Sequence, residues 1–170
     1  MPSSNCLKSI TRTLENEELF NSSPGSSNYV HGISSSLAQK HGHKGDLRFL
    51  PYETACTILE KEFWFPFSGD DLPLSLSFQL FDFAYSSSPP TAIKFLQREL
   101  HVPDPGVFSR ENLRKIQQLD LISLQQLPVK LIQARAAFQT TLPSWPAYGK
   151  DWSQRTIRNL TLYLRDINVY

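Results

Sequence analysis

Three glutamates close the first predicted helix. Glu15, Glu17 and Glu18 stand just before residues 21–28, a run of Asn, Ser, Pro and Gly that excludes regular structure. A carboxylate at a helix end beside a loop-lined cleft is placed to act as a general acid; the same trio also reads as a solvated acidic cluster. Asp82 sits between Phe81 and Phe83 in an apolar segment. A carboxylate there is costly unless hydrogen-bonded, so it is either a structural acceptor for loop N–H groups or a functional carboxylate. Asp70 and Asp71 precede Leu72–Pro73 and fit turn and cap chemistry. Near the C-terminus, Trp145, Tyr148 and Trp152 stand beside Lys150, Arg155 and Arg158. Aromatic faces stack on sugar rings and cations hold anionic groups, and the same cluster can equally pack a terminal helix onto its domain. His41 and His43 lack a third ligand at a recognisable spacing, so no metal is expected, and no motif calls for a cofactor. The chain has no Ser–His–Asp order, P-loop, GxGxxG or HExxH.

Helices must position these groups. Leu7, Ile10 and Leu14 give residues 4–19 an amphipathic stripe, with Ser3 or Ser4 as N-cap. A short helix over 34–41 is entered through Ser34–Ser36, and Pro51 opens a helix over 51–64 that ends before Pro66. Residues 74–84 alternate like a strand and also fit a buried helical face. No second convincing strand pairs with them, so helix is the expectation. Pro89–Pro90 starts a helix to about His101, Ser109 caps 110–117, Asp120 caps 121–126, and Pro128 starts a helix to about Thr141. Residues 142–149 read as an aromatic loop, after which Asp151 caps a last helix over 152–166. The pattern predicts an all-α fold of about eight helices.

Composition narrows the function classes. At 170 residues the chain can bury a core without staples. Its 40% hydrophobic and 19% charged content excludes a disordered chain. A net charge of +1 gives no basic field for nucleic acid. No apolar run approaches the roughly 18–20 residues of a membrane span, and the first residues lack the apolar stretch of about 7–15 residues of a Sec signal. Cys6 and Cys56 make no disulfide framework; the expectation is two reduced thiols, Cys56 in the core.

Several segments together resemble one family. Residues 63–100 carry Phe63–Trp64, Asp70-Asp71-Leu72-Pro73, Phe81-Asp82-Phe83-Ala84 and Leu96-Gln97-Arg98. Upstream, residues 41–64 run HGHKGDLRFLPYETACTILEKEFW, and downstream come DPGVFSRENLRKI (104–116) and YGKDWSQRTIRNL (148–160). These stretches are similar to the glycoside hydrolase family 108 muramidases, which include phage endolysins and secretion activator proteins. The likeness spans about residues 7–165. It implies a lysozyme-like all-α fold with a cleft between a muramidase lobe (residues 1–85) and a helical lobe (86–170) resembling the family's peptidoglycan-binding region. The implied substrate is peptidoglycan, cut at the β-1,4 bond between N-acetylmuramic acid and N-acetylglucosamine.

The family's catalytic motif falls on TLENEELFNSSPGSSNYVHGIS, residues 13–34. Leu14 stands before Glu17 as the family's Leu stands before its acid, which makes Glu17 the implied general acid; ungapped counting back from Gly32 selects Glu15. Leu14, Leu19 and Phe20 are the apolar groups expected around it. Asp82 is the nearest matched second carboxylate, supporting or structural. Tyr29, Ser34, Ser86, Trp145, Tyr148 and Trp152 are the implied substrate-binding set. The family's paired glycines are replaced by Glu18–Leu19 and Ser26–Ser27, its Thr by Tyr29, its Asn by Ser86 and its later Gly by Ser88. Side chains there are expected to narrow the cleft and weaken turnover. The resemblance thus leaves two expectations: a divergent hydrolase, or a wall- or protein-binding protein that kept the fold. Without a Sec signal, action in the periplasm or wall would need delivery by a holin or a secretion system from a bacterial or phage-infected cytoplasm.

Overall fold

The computed structural model describes residues 1–20 and 29–168. Helix α1 spans Ser4–Phe20. Ser3 caps it: its Oγ accepts from the Cys6 amide at 3.2 Å and donates to Asp70 at 2.5 Å. Asp70 also accepts from the Trp64 indole at 3.0 Å, so this turn acid ties the N-terminus to the core. The reading of residues 21–28 as a loop, and of Ser26–Ser27 in the cleft, lies outside the described residues.

Two short strands that the sequence did not announce follow. β1 (Tyr29–Val30) pairs antiparallel with β2 (Ile33–Ser34), Tyr29 opposite Ser34 and Val30 opposite Ile33. Two residues per strand leave no alternation to detect. The tip needs positive φ at both His31 (51°) and Gly32 (75°). Gly32 is required twice over, since a Cβ there would meet Leu14 at 2.5 Å and the Tyr85 hydroxyl at 3.1 Å. Ser34 then caps α2 (Ser35–Lys40), accepting from the Leu37 amide at 3.2 Å.

The helix expected over 51–64 is α only over Tyr52–Leu59 (α3). It widens to a π turn at Glu60–Trp64 and tightens to 3₁₀ turns at Phe65–Phe67 and Gly69–Asp71. Pro66 is the physical cause: it has no N–H to donate, and its ring collides with the carbonyl four residues back. Helix α4 (Leu74–Ser86) settles the strand-or-helix ambiguity, because every residue from Leu76 to Ala84 is buried and helix α4 has no wet face. Next come α5 (Pro89–Glu99), capped by Ser88, and α6 (Arg110–Gln117), closed by a reciprocal Ser109–Asn112 capping box.

Two boundaries expected in the C-terminal half are corrected. Residues 121–126 and 128–141 are one helix, α7 (Leu121–Thr140), with Pro128 inside it. Leu127, Pro128, Leu131 and Ile132 are all buried, and their packing outweighs the bond that proline forgoes. The last helix, α8, begins at Trp145 and runs to Asp166. Residues 145–149 are therefore helix and not loop, and Asp151 lies within α8 and is not its cap. Pro146 suits the first turn, and Gly149 lets the Trp145 ring lie flat, since a Cβ there would come within 2.7 Å of it.

Helix α4 is the axis, with α1, α5, α7 and α8 packed around it. Buried side chains from Cys6 to Leu131 make one continuous cluster, so residues of both halves of the chain share a core. Both cysteines are buried free thiols. Among the described residues, no helix is long and apolar enough to cross a membrane.

Gly69→Ala tests the packing of this core. A Cβ at Gly69 would lie 2.3 Å from the Trp64 ring, which is itself fully buried. The substitution is expected to cost about 1–3 kcal/mol in urea denaturation, through strain against an immobile indole.

Candidate active site

Asp82 lies at the centre of helix α4 with no exposed surface. Its two oxygens accept five hydrogen bonds. Oδ1 takes Asn16 Nδ2 of α1 at 3.1 Å and Arg155 Nη2 of α8 at 2.7 Å. Oδ2 takes Arg135 Nη1 of α7 at 2.6 Å, Arg155 Nε at 3.0 Å and Asn159 Nδ2 of α8 at 2.7 Å. Burial pushes the Asp82 carboxyl up, and the Arg155 and Arg135 guanidiniums outweigh it and hold it well below the usual carboxylate range. The donors to Asp82 are Asn and Arg side chains from three helices and not the loop N–H groups expected for a structural acceptor. Around it, Asn16 also donates to Asn159 at 2.9 Å and accepts from Arg158 Nε at 2.9 Å.

Arg155 links this centre to Glu17. Two of its nitrogens are fixed on Asp82, and the third, Nη1, donates to Glu17 Oε1. The Glu17 side chain is 31% exposed while that of Arg155 is 8% exposed, so the carboxylate is the surface end of a buried chain of charges. Of the three apolar groups expected around Glu17, Leu14 is half-buried against the core, and Leu19 is not where it was expected. Leu19 points outward at 60% exposure, and the group in contact is a guanidinium. The helical period is the reason: residues 17 and 19 are about 200° apart around α1. Glu15 points elsewhere, 49% exposed, onto Arg158.

Tyr85 completes the wall on the α4 side. Its hydroxyl donates to the Gly32 carbonyl at 3.1 Å, fastening the hairpin tip to α4. Burial raises the Tyr85 phenol far above its ordinary value, and the negative charge of Glu17 adds to the effect, so it stays a neutral donor. Tyr29 points to solvent, and Glu18 is exposed. Ser34 is occupied as the cap of α2, and Ser86 accepts from Arg135 Nη2 at 2.8 Å while donating to the Phe83 carbonyl. Trp145, Tyr148 and Trp152 form a ladder on α8, with ring centroids 6.1 Å apart for Trp145–Trp152 and 5.9 Å for the stacked Tyr148–Trp152 pair. Tyr148, Trp152, Arg155 and Asn159 follow a four-three-four spacing, so the ladder continues along one helix face into the ionic centre. His41 and His43 part company: His41 bonds Glu62 at 2.8 Å and His43 the Asp46 carbonyl at 3.2 Å.

The structure therefore brings Glu17, Asp82 and the α8 face together. Sequence reasoning passed over Arg135, Asn16, Asn159 and Tyr85. A signal existed for Arg135, since it continues the apolar positions Leu127, Leu131 and Ile132 of α7. An Arg on such a stripe is buried only against an acid.

Comparison with known proteins agrees with the fold. The family model described as Glycosyl hydrolase 108 matches residues 21–87. The solved structure titled "Structure of Brucella abortus SagA" superposes with a TM-score of 0.79 and 24% identity, covering 96% of this chain and 95% of that one. No curated protein matches the chain. The architecture is the all-α lysozyme-like fold, with a two-stranded hairpin added.

Asp82→Asn is expected to cost about 3–5 kcal/mol, because it removes the acid that Arg135 pairs with and leaves the buried Arg155 only Glu17 at the surface. The sign with pH follows from the lowered carboxyl. Its contribution is complete above the unfolded value of about 4 and is lost as pH falls toward the folded value. Denaturation midpoints from pH 7 to pH 2 should fall more steeply in the wild type than in Asp82→Asn, and equal slopes would contradict this account.

Proposed function

We propose that this chain, a member of the glycosyl hydrolase 108 family, cleaves the glycan strand of peptidoglycan between N-acetylmuramic acid and N-acetylglucosamine, with Glu17 as general acid. The observation that carries this reading is the placement of Glu17. A buried arginine ties it directly to Asp82 and its carboxylate is open to solvent, next to the hairpin and at the end of an aromatic ladder. A glycan laid along α8 would stack its sugar rings on Trp152 and Tyr148 and present a glycosidic oxygen to Glu17. In its protonated form Glu17 would pass its proton to that oxygen as the bond to the anomeric carbon breaks and positive charge develops on the ring; water would then add at the anomeric carbon to leave the new reducing end, and Arg155 would meet the carboxylate left on Glu17. The site of action on this reading is the cell wall.

A second reading, wall binding without hydrolysis, draws on Asp82. All five of its hydrogen bonds come from protein groups, so it offers no lone pair to a water or to an anomeric carbon. The second acid that the resemblance supplies is thus committed to structure.

Incubating the purified protein with isolated peptidoglycan, and analysing soluble muropeptides for new reducing ends, separates the two. Hydrolysis predicts release by the wild type, a loss of about 10²–10⁴-fold in Glu17→Gln, and little change in Glu15→Gln. Wall pull-down by the wild type without any release would establish the binding reading instead. Trp152→Ala should weaken retention on peptidoglycan by about five- to tenfold, as loss of one stacking platform implies.

A further inference from the structure

Resting on the reading of Glu17 as the acid, we infer that Arg155 is the positioning residue for Glu17, and that Asp82 and Arg135 fix where Arg155 stands. Arginine's guanidinium is a rigid planar fork, so holding two of its nitrogens determines the direction of the third. Asp82 holds Nε and Nη2 of Arg155, at 3.0 and 2.7 Å. The remaining Nη1 has one direction left, and Glu17 Oε1 is what it meets. Asp82 cannot turn to release the fork, because Arg135 and Asn159 both hold its Oδ2. Arg135 is anchored in turn by Ser86 and lies over the Phe83 ring, its Cζ 5.4 Å from the centroid. Each link from Phe83 to Glu17 is a contact between buried groups until the last. A flexible glutamate at the end of a helix is thereby given a fixed place from inside the core, and proton delivery depends on placement to within about 1 Å. Arg135 never touches Glu17, yet it sets the geometry three contacts away.

The test uses the full chain with ¹³Cδ-labelled glutamate, the Glu17 signal being assigned by its loss in Glu17→Gln. Arg155→Gln and Arg155→Lys should both move the Glu17 signal at fixed pH, since Gln has only two N–H donors and Lys concentrates its three on one nitrogen, without the planar fork that spans Asp82 and Glu17. Arg135→Gln should move it as well, and Arg135→Lys should restore it. In muropeptide release, Arg155→Gln should lower kcat about 10²-fold with KM within about threefold, and Arg135→Gln about tenfold, with Arg135→Lys recovering most of the loss. Arg12→Gln is the control: it breaks a bidentate pair to Asp166 that also joins α1 to α8, five residues before Glu17. It should lower the melting temperature while leaving the Glu17 signal and kcat unchanged. An unmoved Glu17 signal in both Arg155 variants overturns the proposal, as does a kcat for Arg155→Gln equal to that of the wild type. Should Arg155→Gln fail to fold, Arg155→Lys, which keeps the charge, decides alone. A wild type that releases no muropeptides defeats hydrolysis as the function, and the resonance still decides the positioning role.

Discussion

One buried carboxylate organises this protein. An ionised acid with no access to water is tolerated only when its lone pairs are filled and its charge is met. Asp82 meets that condition with donors from three helices, α1, α7 and α8, gathered on a fourth. The apolar core explains why these helices associate. It does not explain their rotation about their own axes, since a greasy stripe tolerates sliding and turning. The five directed bonds to Asp82 remove that freedom.

The candidate site is a by-product of the same centre. Two guanidiniums meet one carboxylate in the interior, and the excess positive charge is balanced by Glu17 at the surface. The neighbouring wall is fixed by different means, through the Tyr85 hydroxyl and a glycine that lets the hairpin tip press against Leu14. Rigid support on the α8 side and a hairpin held from α4 therefore converge on one glutamate.

Much of this was legible in the sequence because local chemistry speaks for itself. Ser109 announces α6, Pro89–Pro90 announces α5, and Leu7, Ile10 and Leu14 announce α1. Glu17 and Asp82 were legible through motif and through an acid set among phenylalanines. What failed did so where tertiary packing overrides local preference. Pro128 reads as a helix start and is a helix interior, because the side chains beside it are buried. Pro146 and Gly149 read as a loop and are the first turns of α8, because indole packing makes the glycine useful. The environment of Glu17 was misjudged for a simpler reason: its partner lies 138 residues along the chain, and no local pattern reports a contact of that span.

That span also bears on the order of assembly during synthesis. Three of the five bonds to Asp82 come from α8, which is synthesised after α1, α4 and α7. Until α8 arrives, helix α4 carries a charge short of most of its donors, and water must stay where the core will close. The packing around α4 is therefore expected to form once α8 has been made and not progressively from the N-terminus, with a stalled chain lacking α8 remaining protease-sensitive throughout α4. The bond network that fixes the folded core thus makes the closure of α4 wait on the arrival of α8.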